Sequence, residues 1–135
     1  MTGATSGIGR GILEVFAEEG AKVVFCGRRE ELGKSIEVDL RGKGYDVKFV
    51  KADMLKNEDV KKLFDETIAT YGKLDILVNN AGMLKMLPLV DMDVEKDWDT
   101  VINLNLRSYF VATQHAVKLM GPGSAIINIA SIGGL

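Results

Sequence analysis

Apolar positions along this chain alternate between helical spacing and short unbroken runs. Ile8, Ile12, Val15 and Phe16 recur at helical spacing over positions 8–19, and Gly20 follows where a helix needs a left-handed end, which predicts a first helix. "KVVFC" at 22–26 is too continuous for a half-exposed strand and suits an interior parallel one. A second helix is predicted over 30–43, with Leu32, Ile36 and Leu40 four apart and Gly44 ending it, and "DVKFV" at 46–50 makes the next strand. Asn57 reads as an N-cap, Glu58 and Asp59 suit the helix dipole, and Val60, Leu63, Phe64, Thr67 and Ile68 mark an inward face closed off by Gly72. "LDILV" at 74–78 is a third strand running straight into "NNAG". After an irregular stretch over 83–93, a long helix carries Val94, Trp98, Val101, Ile102, Asn105, Phe110 and Val117 until Gly121 and Pro122 stop it; "AIINIA" at 125–130 is the last strand.

Strands alternating with helices, each strand nearly all apolar, predict an α/β fold: a mostly parallel, doubly wound sheet with helices on both faces, in one domain over 1–135. In such sheets ligands sit at the carboxyl ends of the strands, so polar residues just after a strand carry the information. Composition narrows the partners. The 135 residues are 47% hydrophobic and 27% charged with a net charge of −2, and the charges are spread, so no basic patch points to nucleic acid or to a membrane surface. One cysteine (Cys26) and one histidine (His115) leave no metal-ligand cluster and no internal disulfide; with no apolar run of about 18 residues and no leader pattern, a cytoplasmic location is expected.

Candidate chemistry begins at "TGATSGIG", positions 2–9. Gly3, Gly7 and Gly9 allow positive φ and close backbone approach, so this loop either presents amide donors and a helix N-terminus to a pyrophosphate or is an ordinary strand-to-helix turn. Three further polar sites follow strands: Asp53, Asn79 with Asn80, and Ser131. As bare residues, Asp53 and Asn80 also fit plain turns, and Ser131 fits a cap.

Taken together, "TGATSGIG", "AD", "LDILVNNAG", "VINLNL" and "INIAS" resemble the short-chain dehydrogenase/reductase family from end to end. The resemblance implies a Rossmann-like fold in which Gly3, Gly7 and Gly9 hold a cofactor pyrophosphate with Ser6 and Ile8 beside it. Asp53 and Met54 would meet the adenine, and Asn80, Ala81 and Gly82 the adenosine ribose side. At the end of the second strand Gly27 stands where an NAD-preferring site carries an acid, and Arg28 follows, which favours NADP over NAD; Arg29 is the weaker candidate. Catalysis in this family uses Asn, Ser, Tyr and Lys, the tyrosine exchanging a proton with an alcohol or ketone. Asn105 and Ser131 match the first two, whereas Asn103 and Asn128 read as structural.

The family's Y-x-x-x-K pair has no counterpart here. Tyr45, Tyr71 and Tyr109 are followed four residues later by Phe49, Asp75 and Thr113. The expectation is therefore an incomplete domain, lacking the first strand and the C-terminal strands, and inactive by itself. The absent first strand would leave the strands at 22–26 and 74–78 without a neighbour between them. Three readings follow: part of an NADP-dependent alcohol/ketone oxidoreductase, homo-oligomeric when complete; a non-catalytic nucleotide-binding module or pseudoenzyme; or a structural fragment without activity.

Overall fold

A computed structural model describes residues 1–131. Its elements follow the expected order: α1 (Gly7–Glu18), β1 (Val23–Gly27), α2 (Glu30–Gly42), β2 (Val47–Lys51), α3 (Asn57–Tyr71), β3 (Ile76–Asn79), a long helical run over 94–116, and β4 (Ala125–Asn128). β1 pairs parallel with β2, and β3 parallel with β4. No ladder joins β1 to β3 directly.

The chain start lies between them. The Met1 amino group donates to the Val24 carbonyl (2.9 Å), and Met1 accepts from the Cys26 N–H (3.1 Å). Thr2 N–H then donates to Val78 O on the other side (3.0 Å), and Ala4 N–H returns to Cys26 O (3.0 Å). The expected gap is thus closed at the carboxyl end of the sheet by residues 1–4 and open at the amino end. The strand order across the molecule becomes β2, β1, residues 1–4, β3, β4.

Two cores explain why every residue of β1 is buried. On one face Val23, Phe25, Val47 and Phe49 pack with Leu13 and Ala17 of α1 and Ile36 and Leu40 of α2. On the other, Val24, Cys26, Val50 and Leu77 pack with Val60, Leu63 and Phe64 of α3 and Leu104, Ala112 and Ala116 of the long helix. A sheet covered on both sides requires continuous apolar strands.

The helices turn differently from the apolar spacing. In α1 the buried positions are Gly9, Leu13 and Ala17, while Ile8 is 69% and Val15 57% exposed. In α2, Gly33 takes the buried place next to Ile36 and Leu40, and Leu32 lies outside. The reason is close approach: a Cβ on Gly9 would lie 2.3 Å from Asn80 Nδ2, and one on Gly33 2.1 Å from the Phe49 ring. Glycine faces inward because nothing larger fits, and a count of apolar side chains does not see it.

The long helix departs further. π turns occupy Val94–Asp99 and Asn103–Arg107, with α winding over Thr100–Ile102 and Ser108–Ala116. Leu104, Ser108, Ala112 and Ala116 face the sheet, whereas Val94, Trp98, Phe110 and Val117 are exposed. Small residues every fourth position let this helix lie close, and the large apolar ones form an outer face. Lys56, not Asn57, is the N-cap of α3; the Asn57 Oδ1 accepts instead from Arg107 Nη2 (3.2 Å).

Candidate functional site

At the carboxyl ends of the strands a cleft of about 480 Å³ opens between the 2–9 loop, the Gly27–Arg29 turn, the segment after β2 and the segment after β3. Gly3, Ser6, Ile8, Gly9, Arg28, Asp53, Met54, Asn80, Ala81 and Gly82 all line it. Gly7 sits one step back at the start of α1, and Asn105 lies behind Gly82, its Oδ1 3.4 Å from where a Gly82 Cβ would stand. Ser131 follows β4, exposed and away from the cleft lining. Gly27, expected at the cofactor-selecting position, lines it too, as do Thr5 and Ala52, which sequence reasoning does not single out.

The loop owes its shape to contacts with β3. Gly3 has φ of +65°, and a Cβ there would come 2.7 Å from Ala81 Cα, so only glycine fits. Thr2, 1% exposed, is the node: its Oγ1 accepts from the N–H groups of both Asn80 and Ala81 (3.0 Å each). Asn80 Nδ2 in turn donates to the carbonyls of Thr2 (3.0 Å) and Gly3 (2.9 Å). The Asn80 side chain is therefore spent on holding the loop. Asn79 points the other way, fully buried, donating to Asn128 Oδ1 (2.9 Å).

What the loop presents to the cleft is a helix end. Ser6 caps α1 with extended backbone and a side chain that makes no capping hydrogen bond to the helix amides, the first turn carries no acid, and the first N–H with an intrahelical partner is that of Arg10, to Ser6 O. The N–H groups of Gly7, Ile8 and Gly9 stand at the open end, where the helix dipole favours an anion. Gly7, with φ of +55°, has nothing within 4 Å of its Cβ direction, so this side is open space.

Two arginines flank that end in different states. Arg29 Nη2 donates to Ser6 Oγ (2.9 Å) and Thr5 Oγ1 (3.4 Å), bracing the loop. Arg28 is exposed on the cleft wall and makes no ion pair among the described residues. Gly27 is tight as well, since a Cβ there would fall 2.6 Å from Thr5 Cγ2. Across the cleft, Asp53 Oδ1 accepts from Leu55 N–H (3.1 Å) while its own N–H donates to Asp59 Oδ2 (2.8 Å), which fixes the carboxylate at the strand end. Asn105 grips the backbone of Met83 from both sides: Oδ1 accepts from Met83 N–H and Nδ2 donates to Met83 O, each at 2.8 Å.

Comparison with known proteins decides the family: the short chain dehydrogenase profile matches residues 1–135. The chain belongs to the short-chain dehydrogenases. It is 43% identical over 136 residues to a 3beta-hydroxysteroid dehydrogenase from Mediterraneibacter gnavus, covering 100% of this chain and 49% of that protein. Among solved structures, a short-chain dehydrogenase/reductase mutant from Serratia marcescens superposes with a TM-score of 0.93 at 32% identity, over 98% of this chain and 54% of the other. A blue fluorescent protein from a metagenomic library, solved in complex with NADPH, gives 0.90 at 32% identity, over 97% and 54% respectively. The chain thus spans about half the length of the relatives it matches. Its incomplete Rossmann-like sheet agrees with that share.

Two tyrosines of this short-chain dehydrogenase family member, Tyr71 and Tyr109, have their hydroxyl pKa raised by their surroundings. Tyr71 donates to Asp46 Oδ1 (2.7 Å), and burial together with that carboxylate pushes its pKa far above the ordinary phenol value. Burial raises Tyr109 likewise, and its hydroxyl donates to Ile129 O (3.3 Å). Among the described residues no group of three potential metal ligands converges, and no helix is long and apolar enough to cross a membrane.

Proposed function

We propose that this chain is the dinucleotide-binding half of an NADP(H)-dependent oxidoreductase that interconverts an alcohol and a ketone. One observation carries the reading: the open N-terminus of α1, locked in place by Thr2 and Asn80, faces a cleft whose wall holds the unpaired Arg28. The donor set fits a phosphorylated dinucleotide. Gly7, Ile8 and Gly9 amides and Ser6 would hold the pyrophosphate, and Arg28 the 2′-phosphate. Asp53 and Met54 would hold the adenine, with Ala81 and Gly82 against its ribose. Gly27 leaves no acid to repel a phosphate. When bound, such a cofactor supplies or accepts a hydride at its nicotinamide ring.

The chain's own contribution is positioning. Asn105, by clamping Met83, sets the course of the segment leaving β3, and Ser131 at the end of β4 is the candidate to orient a substrate oxygen. Tyr71 and Tyr109 are held protonated by their surroundings, so neither is the candidate to accept a proton from substrate. That observation favours, as a second reading, a chain that binds nucleotide without turnover. The outer apolar face of the long helix, with Trp98, Leu106 and Phe110, supports association with further copies in a complete protein.

The deciding experiment titrates the purified chain with NADPH and NADH, following nicotinamide fluorescence, in the parent and in Arg28→Ala. Saturable NADPH binding that is tighter than NADH binding, and a preference abolished by Arg28→Ala, is expected. Absence of saturation, or equal affinity for the two in the parent, would overturn the proposal.

A further inference from the structure

Gly27 closes β1 and is buried, yet its own backbone does not call for glycine. It is not among the glycines with positive φ, it pairs with Lys51 in the regular parallel register, and its carbonyl accepts from Ala52 N–H (3.1 Å). What forbids a side chain there is Thr5. A Cβ on Gly27 would stand 2.6 Å from Thr5 Cγ2, 2.9 Å from Thr5 Oγ1 and 3.3 Å from Thr5 Cβ. Turning Thr5 about its Cα–Cβ bond gives no relief. Its two branches share three staggered positions, of which two lie against Gly27, so one branch always stays there. The loop is also held from moving off: Ala4 N–H donates to Cys26 O (3.0 Å) directly beside the contact, and Thr5 is 8% exposed.

We propose that Thr5 is a specificity-determining residue: its two branches fill the space that any side chain at position 27 would need, and so keep a carboxylate from the end of β1. The assignment rests on the cofactor reading above. A carboxylate at that strand end would accept from a ribose 2′-hydroxyl and repel a 2′-phosphate. No other acid takes its place on this side of the cleft. Glu30, in the first turn of α2, is bound to Lys34 (2.7 Å) and Lys51 (3.0 Å) and stands outside the lining, while Asp53 lies across the cleft after β2. The loop that meets the diphosphate therefore also dictates the choice at the ribose. Shortening Thr5 is the condition for admitting an acid at 27 and converting the chain to NAD(H). Thr5→Ala leaves only the 3.3 Å approach of the two Cβ atoms, and it spares the brace on the loop, because Arg29 keeps its 2.9 Å bond to Ser6 Oγ. A hydroxyl is not what matters, so Thr5→Val, with both branches and no oxygen, should exclude a side chain at 27 as threonine does.

The test has two arms on the 135-residue chain. The first uses no nucleotide: Gly27→Ala is introduced into the parent, the Thr5→Ala and the Thr5→Val backgrounds, and melting is followed by circular dichroism. The added methyl should lower the midpoint by about 3–9 °C beside threonine or valine and by less than about 2 °C beside alanine. The second arm titrates NADPH and NADH, by nicotinamide fluorescence, into the parent, Gly27→Asp and the Thr5→Ala/Gly27→Asp double variant. The parent should favour NADPH, Gly27→Asp alone should bind both poorly or unfold, and the double variant should favour NADH. Its NADPH-to-NADH affinity ratio should fall by about ten- to hundred-fold against the parent, the reach of one hydrogen bond to a charged group. Equal cost of Gly27→Ala in all three backgrounds would overturn the proposal. So would Gly27→Asp alone favouring NADH, or a double variant that still favours NADPH or binds neither nucleotide. A parent without NADPH preference overturns the cofactor reading itself and the selectivity of Thr5 with it, and is told apart because it shows before any variant is read.

Discussion

Replacing Thr2 by valine removes one oxygen and little else. Valine keeps the branched Cβ and the extended backbone preference, so the bonds from Thr2 N–H to Val78 O and from Asn80 Nδ2 to Thr2 O survive. The lost Oγ1 is the acceptor for two N–H groups, those of Asn80 and Ala81, both 3.0 Å away at a site where Thr2 is 1% exposed. An orphaned buried donor costs about 1–3 kcal/mol, so the pair should cost roughly 2–6 kcal/mol, a large share of the 5–15 kcal/mol that holds a typical domain together. At about 3 °C per kcal/mol for a chain of this size, the melting midpoint should fall by roughly 6–18 °C. Thr2→Ser is the control, since it keeps the oxygen and loses only a methyl group worth about 1 kcal/mol. The assay is thermal unfolding followed by far-ultraviolet circular dichroism on parent, valine and serine variants at one protein concentration. A valine variant melting within about 2 °C of the parent, or a serine variant melting as low as valine, would refute the claim that this hydroxyl ties the loop to β3.

Gly33→Ala should destabilise despite the better helix propensity of alanine, because its Cβ would sit 2.1 Å from the Phe49 ring, itself packed 5.4 Å from Phe25; a net loss of about 1–2 kcal/mol in urea unfolding is expected, and a gain would contradict the packing argument. Cys26, fully buried with its thiol pKa raised by burial and its Sγ 3.8 Å from Met54 Sδ, should react with a chromogenic disulfide reagent only at the rate of unfolding; immediate reaction would show that the core is open. Glu30, bonded to Lys34 and Lys51, has its carboxyl held down at about 2. Because its folded pKa lies below its unfolded value, the stabilisation is complete above about pH 4.5 and fades as pH falls towards 2. Carboxyl NMR titration reads that midpoint directly, and Glu30→Gln should remove this part of the acid dependence of stability.

The alternation of apolar runs and helical spacings gave away the α/β class and element order, because strands covered on both sides and helices ended by glycine leave marks in one dimension. The faces of the helices were less legible. Ile8 and Val15 look like core residues of α1, yet the helix turns Gly9 inward, since contact with Asn80 and the Gly3 carbonyl decides its rotation and no hydrophobicity count registers a missing side chain. The winding of the long helix was hidden for a related reason. Its buried positions are the small Ser108, Ala112 and Ala116, while the conspicuous Trp98 and Phe110 point out. Most of the cleft residues could be named from motifs, but Thr2 could not be singled out: its role rests on two amides some eighty positions later, a contact that only the folded chain creates.

The π turn at Asn103–Arg107 has a consequence for how this segment tolerates change. A π turn is an α turn that has taken in one extra residue. Excising Asn105 would therefore let ordinary winding resume, with Ser108, Ala112 and Ala116 still seated on the sheet. What would go is the amide that grips Met83. In this stretch the surplus residue serves the neighbouring loop and is dispensable to the helix, so a single-residue deletion should leave the scaffold upright while releasing the wall of the cleft.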